Sequence, residues 1–167
     1  NFDDPSIDAK YRAWEERSLK APYDNFILNG TWVHRLAATY NAFYVFLHLW
    51  DHFLNRGIGL RQVSDWMMLL HGRNAEIDRR QLREHVEEFG LLRPWQLYGC
   101  LVVHYLGLPA DEMPFYEPAY LVKSKRLMRM IIKEGNFGKA MKLSQRHARQ
   151  HGFRRRLTTL FVIQIHS

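Results

Sequence analysis

The sequence predicts a mainly α-helical fold: a multi-helix bundle around a central buried helix hairpin, with room for one short N-terminal strand. Apolar residues recur at helical spacing through nearly the whole chain, and no internal repeat is present. Residues 42–50 are almost entirely apolar, and a helix that is hydrophobic on all sides belongs in the middle of a core. Gly57 and Gly59 then allow a tight reversal into a second apolar helix.

The N-terminal region is predicted to form one amphipathic helix over residues 6–20. Asp4 and Pro5 suit a helix start, because a carboxylate caps free amides and proline fits the first helical position. Residues 23–30 are short and mixed in character, and they allow a brief strand.

The central hairpin is predicted to contain a helix that is capped by Asn41 and runs to about residue 55. Apolar residues already recur at helical spacing from Thr31 onward. The second helix is predicted over residues 60–71, and two helices joined so closely should pack side by side. Its predicted buried residues are Leu60, Val63, Met67 and Leu70.

Two further helices follow the hairpin. Asp78 is predicted to cap a helix that ends near Phe89, with Arg and Glu residues four positions apart on a solvated face. Pro94 is predicted to open the next helix, which ends at Gly107. Residues 107–118 contain three prolines and are predicted to be a loop.

The C-terminal third is strongly basic. Residues 119–167 carry twelve Lys or Arg and one acid, a net charge of +11, whereas the rest of the chain carries twelve basic and sixteen acidic residues, a net charge of −4. A basic helix is predicted over 121–134, a break at 135–138, a second basic helix over about 139–151, and a last apolar segment. The residues predicted to point inward from the first basic helix are Leu127, Met128, Ile131 and Ile132.

Such a basic segment either binds a polyanion or packs against an acidic surface. Aromatic stacking partners are few and no zinc-finger spacing is present, so a solvated or intramolecular face is favoured over nucleic acid. The alternative is a basic helical module for nucleic acid or another polyanion. Its binding residues would be Lys123, Lys125, Arg126, Arg129, Lys139, Lys142, Arg146 and Arg149.

Length and composition predict a single helical domain over residues 1–167. No apolar run approaches the roughly 20 residues that cross a bilayer, so no membrane span is expected and a cytoplasmic location is the default. A single cysteine, Cys100, excludes an internal disulfide and fits a reducing compartment. Because the chain does not begin with Met and stops in the apolar run TTLFVIQIHS, we expect it to be a fragment of a longer protein.

A polar stripe interrupts the central helix at spacings of three and four. It consists of His48, Asp51, His52 and Asn55, which therefore share a face. Two histidines one turn apart can grip one metal ion, but the glutamate of a zinc-protease motif is replaced by Leu49 and no third ligand follows. His48 and His52 are thus a weak metal pair, and histidines that are hydrogen-bonded within a polar seam are the favoured interpretation.

Arg61 lies in the first turn of its helix, where the macrodipole disfavours a cation. A tertiary reason is therefore expected. One is an ion pair with Asp51 or Asp65 that fixes the register of the hairpin. The other is a guanidinium held ready for a phosphate or carboxylate, whose oxygens its planar fork matches. The two are compatible.

The central stretch resembles the C-terminal helical half of a family of bacterial proteins, the uncharacterised nucleotidyltransferase-like proteins of the polymerase-beta-type superfamily. The resemblance rests on the KEGNFG segment at 133–138 and on an H-x-x-x-H helix that leads through a G-I-G-L-R-Q turn to a D-W helix. The matching residues are His48, His52, Gly57, Ile58, Gly59, Leu60, Arg61, Gln62, Asp65 and Trp66. The resemblance spans about residues 31–138, and residues 1–30 share it only vaguely.

The resemblance implies a parent protein that transfers a nucleotidyl group from a nucleoside triphosphate with Mg²⁺, through carboxylates on an N-terminal α/β domain. This chain contains neither the Gly-Ser dipeptide nor the Asp-x-Asp pair of such domains. The expected role is therefore a helical domain without catalytic residues or a cofactor of its own, whose partner is the missing catalytic domain. Candidate substrate- or nucleotide-facing residues are His48, Asp51, His52, Arg61 and Asp65. An independent metal-dependent enzyme centred on His48 and His52 is the least favoured hypothesis.

Overall fold

A computed structural model describes residues 5–20, 24–55 and 57–135. In chain order these form helix α1 (Pro5–Lys20), strands β1 (Asp24–Leu28) and β2 (Thr31–Arg35), and helices α2 (Ala38–Asn55), α3 (Leu60–Gly72), α4 (Arg79–Glu88), α5 (Leu92–Leu101) and α6 (Leu121–Gly135). Short 3₁₀ turns cover Asn74–Glu76 and Pro118–Tyr120, and a π-helical segment covers Val102–Leu106. The mainly α-helical fold class is confirmed. The helix predicted over 139–151 and the last apolar segment lie outside the described residues.

The possible N-terminal strand is confirmed as β1 and is part of a β-hairpin, whereas the helical spacing of apolar residues from Thr31 does not correspond to a helix, because residues 31–35 form strand β2. Strands β1 and β2 pair antiparallel, with Phe26 opposite Val33. Asn29 and Gly30 both have positive φ, at 50° and 80°, which is the backbone of the two-residue turn that matches strand twist. The Asn-Gly pair was the signal for this hairpin, and the helical spacing of the apolar residues around it is a coincidence.

The central helix is buried on the side that faces α3 and α4. Phe46 contacts Trp66 of α3 and Trp95 of α5, with ring centroids 5.0 Å and 4.8 Å away, respectively. The predicted cap is wrong: α2 begins at Ala38, and Asn41 lies inside its first turn, where its amide donates to the Ala37 carbonyl. The helix is not buried all round, because Tyr44 and His48 are exposed.

Helix α1 is held against α2 and α4 by Trp14, which is buried. Its ring lies 5.1 Å from Phe43 and 6.0 Å from the buried His85, centroid to centroid. At the edge of this contact, the Arg17 guanidinium forms an ion pair with Glu88 at 2.9 Å. The first predicted helix is therefore confirmed, and aromatic packing fixes its position.

The remaining helices follow the predictions with local differences. Asp78 caps α4 by accepting hydrogen bonds from the amides of Arg80 and Gln81. Helix α5 begins at Leu92, before Pro94, and the π-helical segment after it was not predicted. Helix α6 packs against α5. It buries Leu127 and Ile131 as predicted and Met128 in part, whereas Ile132 is exposed, so its predicted inward orientation is wrong.

Candidate functional site

The turn between α2 and α3 is anchored by one buried side chain. Ile58 is buried, so the turn lies against the core, and Gly57 has a positive φ of 79° that favours glycine. Gly59 precedes the first turn of α3, and its amide donates to the Gln62 side-chain oxygen at 3.0 Å. The burial of Ile58, the backbone conformation of Gly57 and the hydrogen bond between Gly59 and Gln62 thus fix the backbone that leads into Arg61.

Most positions of the G-I-G-L-R-Q turn and the D-W helix have an identifiable structural task. Beyond the turn residues, Leu60 packs against the core in part and Trp66 is completely buried. Arg61 and Asp65 differ, because both are exposed on α3. The motif therefore separates into positions that build the turn and positions that face outward.

The predicted ion pair that fixes the hairpin register is absent. Within residues 57–135 and the described part of α2, Arg61 has no ion pair with Asp51 or with Asp65. Asp51 is not without a partner, since it has an interaction with another residue. For Arg61 and Asp65 the physical reason is that an exposed Arg–Asp pair four residues apart gains little over solvation of the two charges. The guanidinium of Arg61 is available to a ligand.

On α2, Tyr44 and the two histidines of the polar stripe form a row of three rings. The ring of Tyr44 stacks on that of His48 with 6.5 Å between centroids, and the rings of His48 and His52 meet edge to face at 4.4 Å. His48 is exposed, whereas Asp51 and His52 are half-buried. Tyr44 was missed at the sequence level, although its spacing of four residues from His48 was a usable signal.

The row continues toward α1 through Tyr11. The pKa of the Tyr11 hydroxyl is raised to about 12, chiefly by burial and in addition by the neighbouring Glu15 and Tyr44. The Tyr11 hydroxyl donates to the Glu15 carboxylate at 3.5 Å. A phenol with a raised pKa stays protonated at neutral pH, so this end of the row is a hydrogen-bond donor and not a base.

The structure places the rings of His48 and His52 in contact, 4.4 Å apart from centroid to centroid. Among the residues that the structure describes, however, no group of three or more His, Cys, Asp or Glu side chains is placed to hold a metal ion. Two imidazoles alone are a weak site, since structural and catalytic zinc sites use at least three protein ligands. The stripe is better suited to hydrogen bonding with a ligand.

The basic residues of the alternative hypothesis are only partly within the described chain. Lys125, Arg126 and Arg129 are exposed on α6, whereas Lys123 is half-buried and lies 6.0 Å from the centre of the Tyr120 ring. The other four, Lys139, Lys142, Arg146 and Arg149, lie outside the described residues.

Among the helices that are described, none has both the length and the apolar character to span a membrane.

A family model described as uncharacterised nucleotidyltransferase matches residues 6–107. The match begins earlier than the resemblance predicted, since it includes α1 and the β-hairpin, and it ends before the KEGNFG segment at 133–138. It includes His48, His52, Arg61 and Asp65. No curated protein and no solved structure matches the chain. Because the matched region covers well over half of its residues, the chain belongs to the uncharacterised nucleotidyltransferase family.

Proposed function

We propose that this chain is a helical, non-catalytic part of a nucleotidyltransferase and that its outward polar residues form one wall of the substrate cleft. The wall combines residues of the stripe on α2 with residues in the first two turns of α3. Arg61 binds a phosphate of the nucleotide or an acidic group of the acceptor substrate. The residues of the wall are His48, Asp51, His52, Arg61 and Asp65.

The observation that carries this proposal is the position of Arg61. Its neighbours in the turn are fixed by burial, by glycine backbone geometry or by the Gln62 hydrogen bond. Arg61 itself is exposed and has no ion pair among the described residues. A well-ordered backbone that presents a long cation with no structural task is the arrangement expected for ligand binding.

Electrostatics at the start of α3 support an anionic ligand. The helix dipole places partial positive charge at this end, and Gly59 has no side chain that could cap the first-turn amides. A cation here is unfavourable in the free protein, but it acts together with the dipole once an anion is bound. A bound anion therefore offsets the unfavourable interaction between the charge of Arg61 and the positive end of the helix dipole.

The rest of the wall supplies polar groups of other kinds. Asp65 lies one helical turn after Arg61 and is exposed, so its carboxylate can accept hydrogen bonds from hydroxyl groups of a ribose or a sugar. His48, stacked on Tyr44, offers a ring nitrogen and an aromatic face. Such a mixture of cation, carboxylate and imidazole suits a substrate with both phosphate and hydroxyl groups.

The opposite wall would come from an N-terminal catalytic domain of the parent protein. The β-hairpin supports the presence of a further partner, because Ile27 and Trp32 share one of its faces and Phe26 and Leu28 share the other, and all four are exposed. A two-stranded hairpin with apolar side chains on both faces is marginal in water unless another surface covers it.

A cytoplasmic location would give the parent access to nucleoside triphosphates.

Mg²⁺ and a nucleoside triphosphate are implied for the parent protein. The described residues do not fit Mg²⁺, which prefers clustered oxygen ligands, because no cluster of three acidic or other metal-binding side chains is present among them. The family's metal chemistry would therefore depend on carboxylates of the catalytic domain. The part assigned to this chain is to bind and orient the triphosphate or the acceptor.

The test is Arg61→Gln in the full-length protein, with nucleoside triphosphate affinity measured by calorimetry. Charge-assisted hydrogen bonds to phosphate contribute about 1.5–3 kcal/mol, so the variant should bind roughly ten- to a hundredfold more weakly. Arg80→Gln is the matched control, since Arg80 is also an exposed helical arginine but lies on α4. It should leave nucleotide affinity unchanged.

Two results would contradict the proposal. Equal affinity of wild type and Arg61→Gln for both nucleotide and acceptor would remove Arg61 from the site. Stoichiometric metal in the purified protein that is lost on His48→Ala would instead assign the stripe to metal binding. Circular dichroism of each variant distinguishes loss of binding from loss of the fold.

A further inference from the structure

The outward face of α6 differs in composition from every other solvated helix face in the described chain. Residues at spacings of three and four along this face are exposed, and all of them are either basic or aliphatic. They are Leu121, Val122, Lys125, Arg126, Arg129, Ile132 and Lys133. None is acidic, none is a small polar residue, and none is aromatic. We call this set the α6 outer face.

Helix α4 shows what an ordinary solvated face looks like in the same protein. There the cations are paired with acids one turn away, with Arg80 3.5 Å from Glu84 and Arg83 2.8 Å from Glu87. On the α6 outer face no described acid lies within ion-pair distance of the four cations. Among the described side chains, no acid neutralises the charge of these four cations, and their field favours an anionic partner.

The aliphatic residues indicate which anionic partner fits. Val122 is 69% exposed and Ile132 is 51% exposed, on the same side of the helix as the cations. A phosphate backbone in water gives such side chains nothing to pack against, and the face lacks the aromatic rings on which nucleic-acid bases stack. At the surface of a bilayer the aliphatic groups can enter the headgroup region while Lys and Arg extend to the lipid phosphates.

We propose that the α6 outer face binds an anionic phospholipid surface, with the helix axis parallel to that surface. Lys125, Arg126, Arg129 and Lys133 contact lipid phosphates, and Val122 and Ile132 insert between the headgroups. The opposite side of α6, with Leu127 and Ile131, stays packed on α5. The helix therefore binds while the fold is intact. This binding mode is independent of Arg61 and of the stripe on α2.

The sequence after α6 supports the same partner. Residues 136–167 contain seven Lys or Arg and no acidic residue. Basic residues that follow a basic amphipathic helix in the sequence add to the attraction toward an anionic leaflet, since each cation near such a surface contributes independently. Charge complementarity thus extends over the whole C-terminal third of the chain.

The test is co-sedimentation of the full chain with vesicles made of equal parts phosphatidylglycerol and phosphatidylcholine, and with vesicles of phosphatidylcholine alone. The wild type should bind the anionic vesicles and not the neutral ones. Each cation removed should weaken binding roughly fivefold, so Arg126→Gln with Arg129→Gln should weaken it about 25-fold. Val122→Ser with Ile132→Ser should remove the binding that persists at raised salt, because insertion is less sensitive to screening than ion pairing.

The matched control is Arg80→Gln with Arg83→Gln on α4, which changes the net charge by the same amount. It should leave vesicle binding within about twofold of wild type. Equal weakening by this control and by the α6 pair would show a net-charge effect only, and it would overturn the proposal. So would equal binding to neutral and anionic vesicles. Binding to a duplex or single-stranded oligonucleotide, without vesicle binding, would assign the face to nucleic acid.

Discussion

Two arginines at opposite ends of α3 have opposite environments. Arg73, just after the C-terminal end, is 7% exposed; it donates to Glu76 at 2.6 and 3.0 Å and to the Leu36 carbonyl at 2.9 Å. Arg61, in the first turn, is exposed and has no ion pair in the described chain. The helix dipole favours a cation at the C-terminal end, where Arg73 lies, and disfavours one in the first turn, where Arg61 lies.

Two histidines repeat the comparison. His85 is buried between α1, α2 and α4, where its ring lies 4.8 Å from that of Tyr40, centroid to centroid. Burial is the largest cause that lowers its pKa, and the nearby Arg17 adds to it, against the opposing effect of Glu88 and Glu84. His48, on the outer side of α2, is exposed. The same residue types therefore hold helices together in one region and face a potential ligand in the other.

The largest expected effect is on stability at Arg73. Arg73→Ala removes the hydrogen bonds to Glu76 and leaves the Leu36 carbonyl without this donor, so the free energy of unfolding should fall by about 2–3 kcal/mol. Urea denaturation measures this loss. Glu76→Gln retains an acceptor for the guanidinium, and its loss should be smaller. A change below about 0.5 kcal/mol for Arg73→Ala would remove the distinction between the two arginines.

A smaller effect is expected from pH at His85. Its pKa in the folded protein lies below the ordinary value of 6.5, so the unfolded chain binds the proton more readily. The stability contributed by the neutral ring is complete above pH 6.5 and is lost as the pH falls below that value. Unfolding midpoints in urea at pH 7.0 and 5.5 should show this loss in the wild type. His85→Phe keeps an aromatic ring among Trp14, Tyr40 and Phe43, and it should reduce the difference between the two pH values; an unchanged difference would exclude His85 as its source.

The smallest effect is expected at Arg61. Arg61→Gln removes a cation from the start of α3, so the free energy of unfolding should stay within about 0.5 kcal/mol of wild type, with any change toward greater stability. Urea denaturation beside the nucleotide-binding measurement separates the two roles. Destabilisation of more than about 1 kcal/mol would show that Arg61 supports the fold, and the comparison with Arg73 would fail.

The parts of the fold that were predictable depend on local physics. The cap at Asp78, the glycine turn at Gly57 and the burial of Val63 and Leu70 follow from hydrogen-bonding capacity, backbone freedom and helical periodicity. The β-hairpin was also encoded locally by its Asn-Gly turn. It was misread because Trp32 and Tyr40 happen to lie at helical spacing.

Other features depend on partners far away in the sequence. Arg73 meets the Leu36 carbonyl, and His85 meets Trp14; neither pairing is visible in a local pattern. The orientation of Ile132 was mispredicted because a helix with several apolar residues does not reveal which of them faces the neighbouring helix. The position of the α6 outer face is set by the packing of α6 on α5.

By itself the sequence determined the helical class, the central hairpin, most helix limits and the family motif around Arg61. These follow from interactions within a few residues and from the alternation of apolar and polar groups. Only the tertiary structure decided which arginine stabilises the fold and which remains exposed, because burial and partner distance depend on how α2, α3 and the segment after Gly72 come together. The chemistry of a guanidinium is the same at both ends of α3, and its surroundings give it either a structural or a binding role.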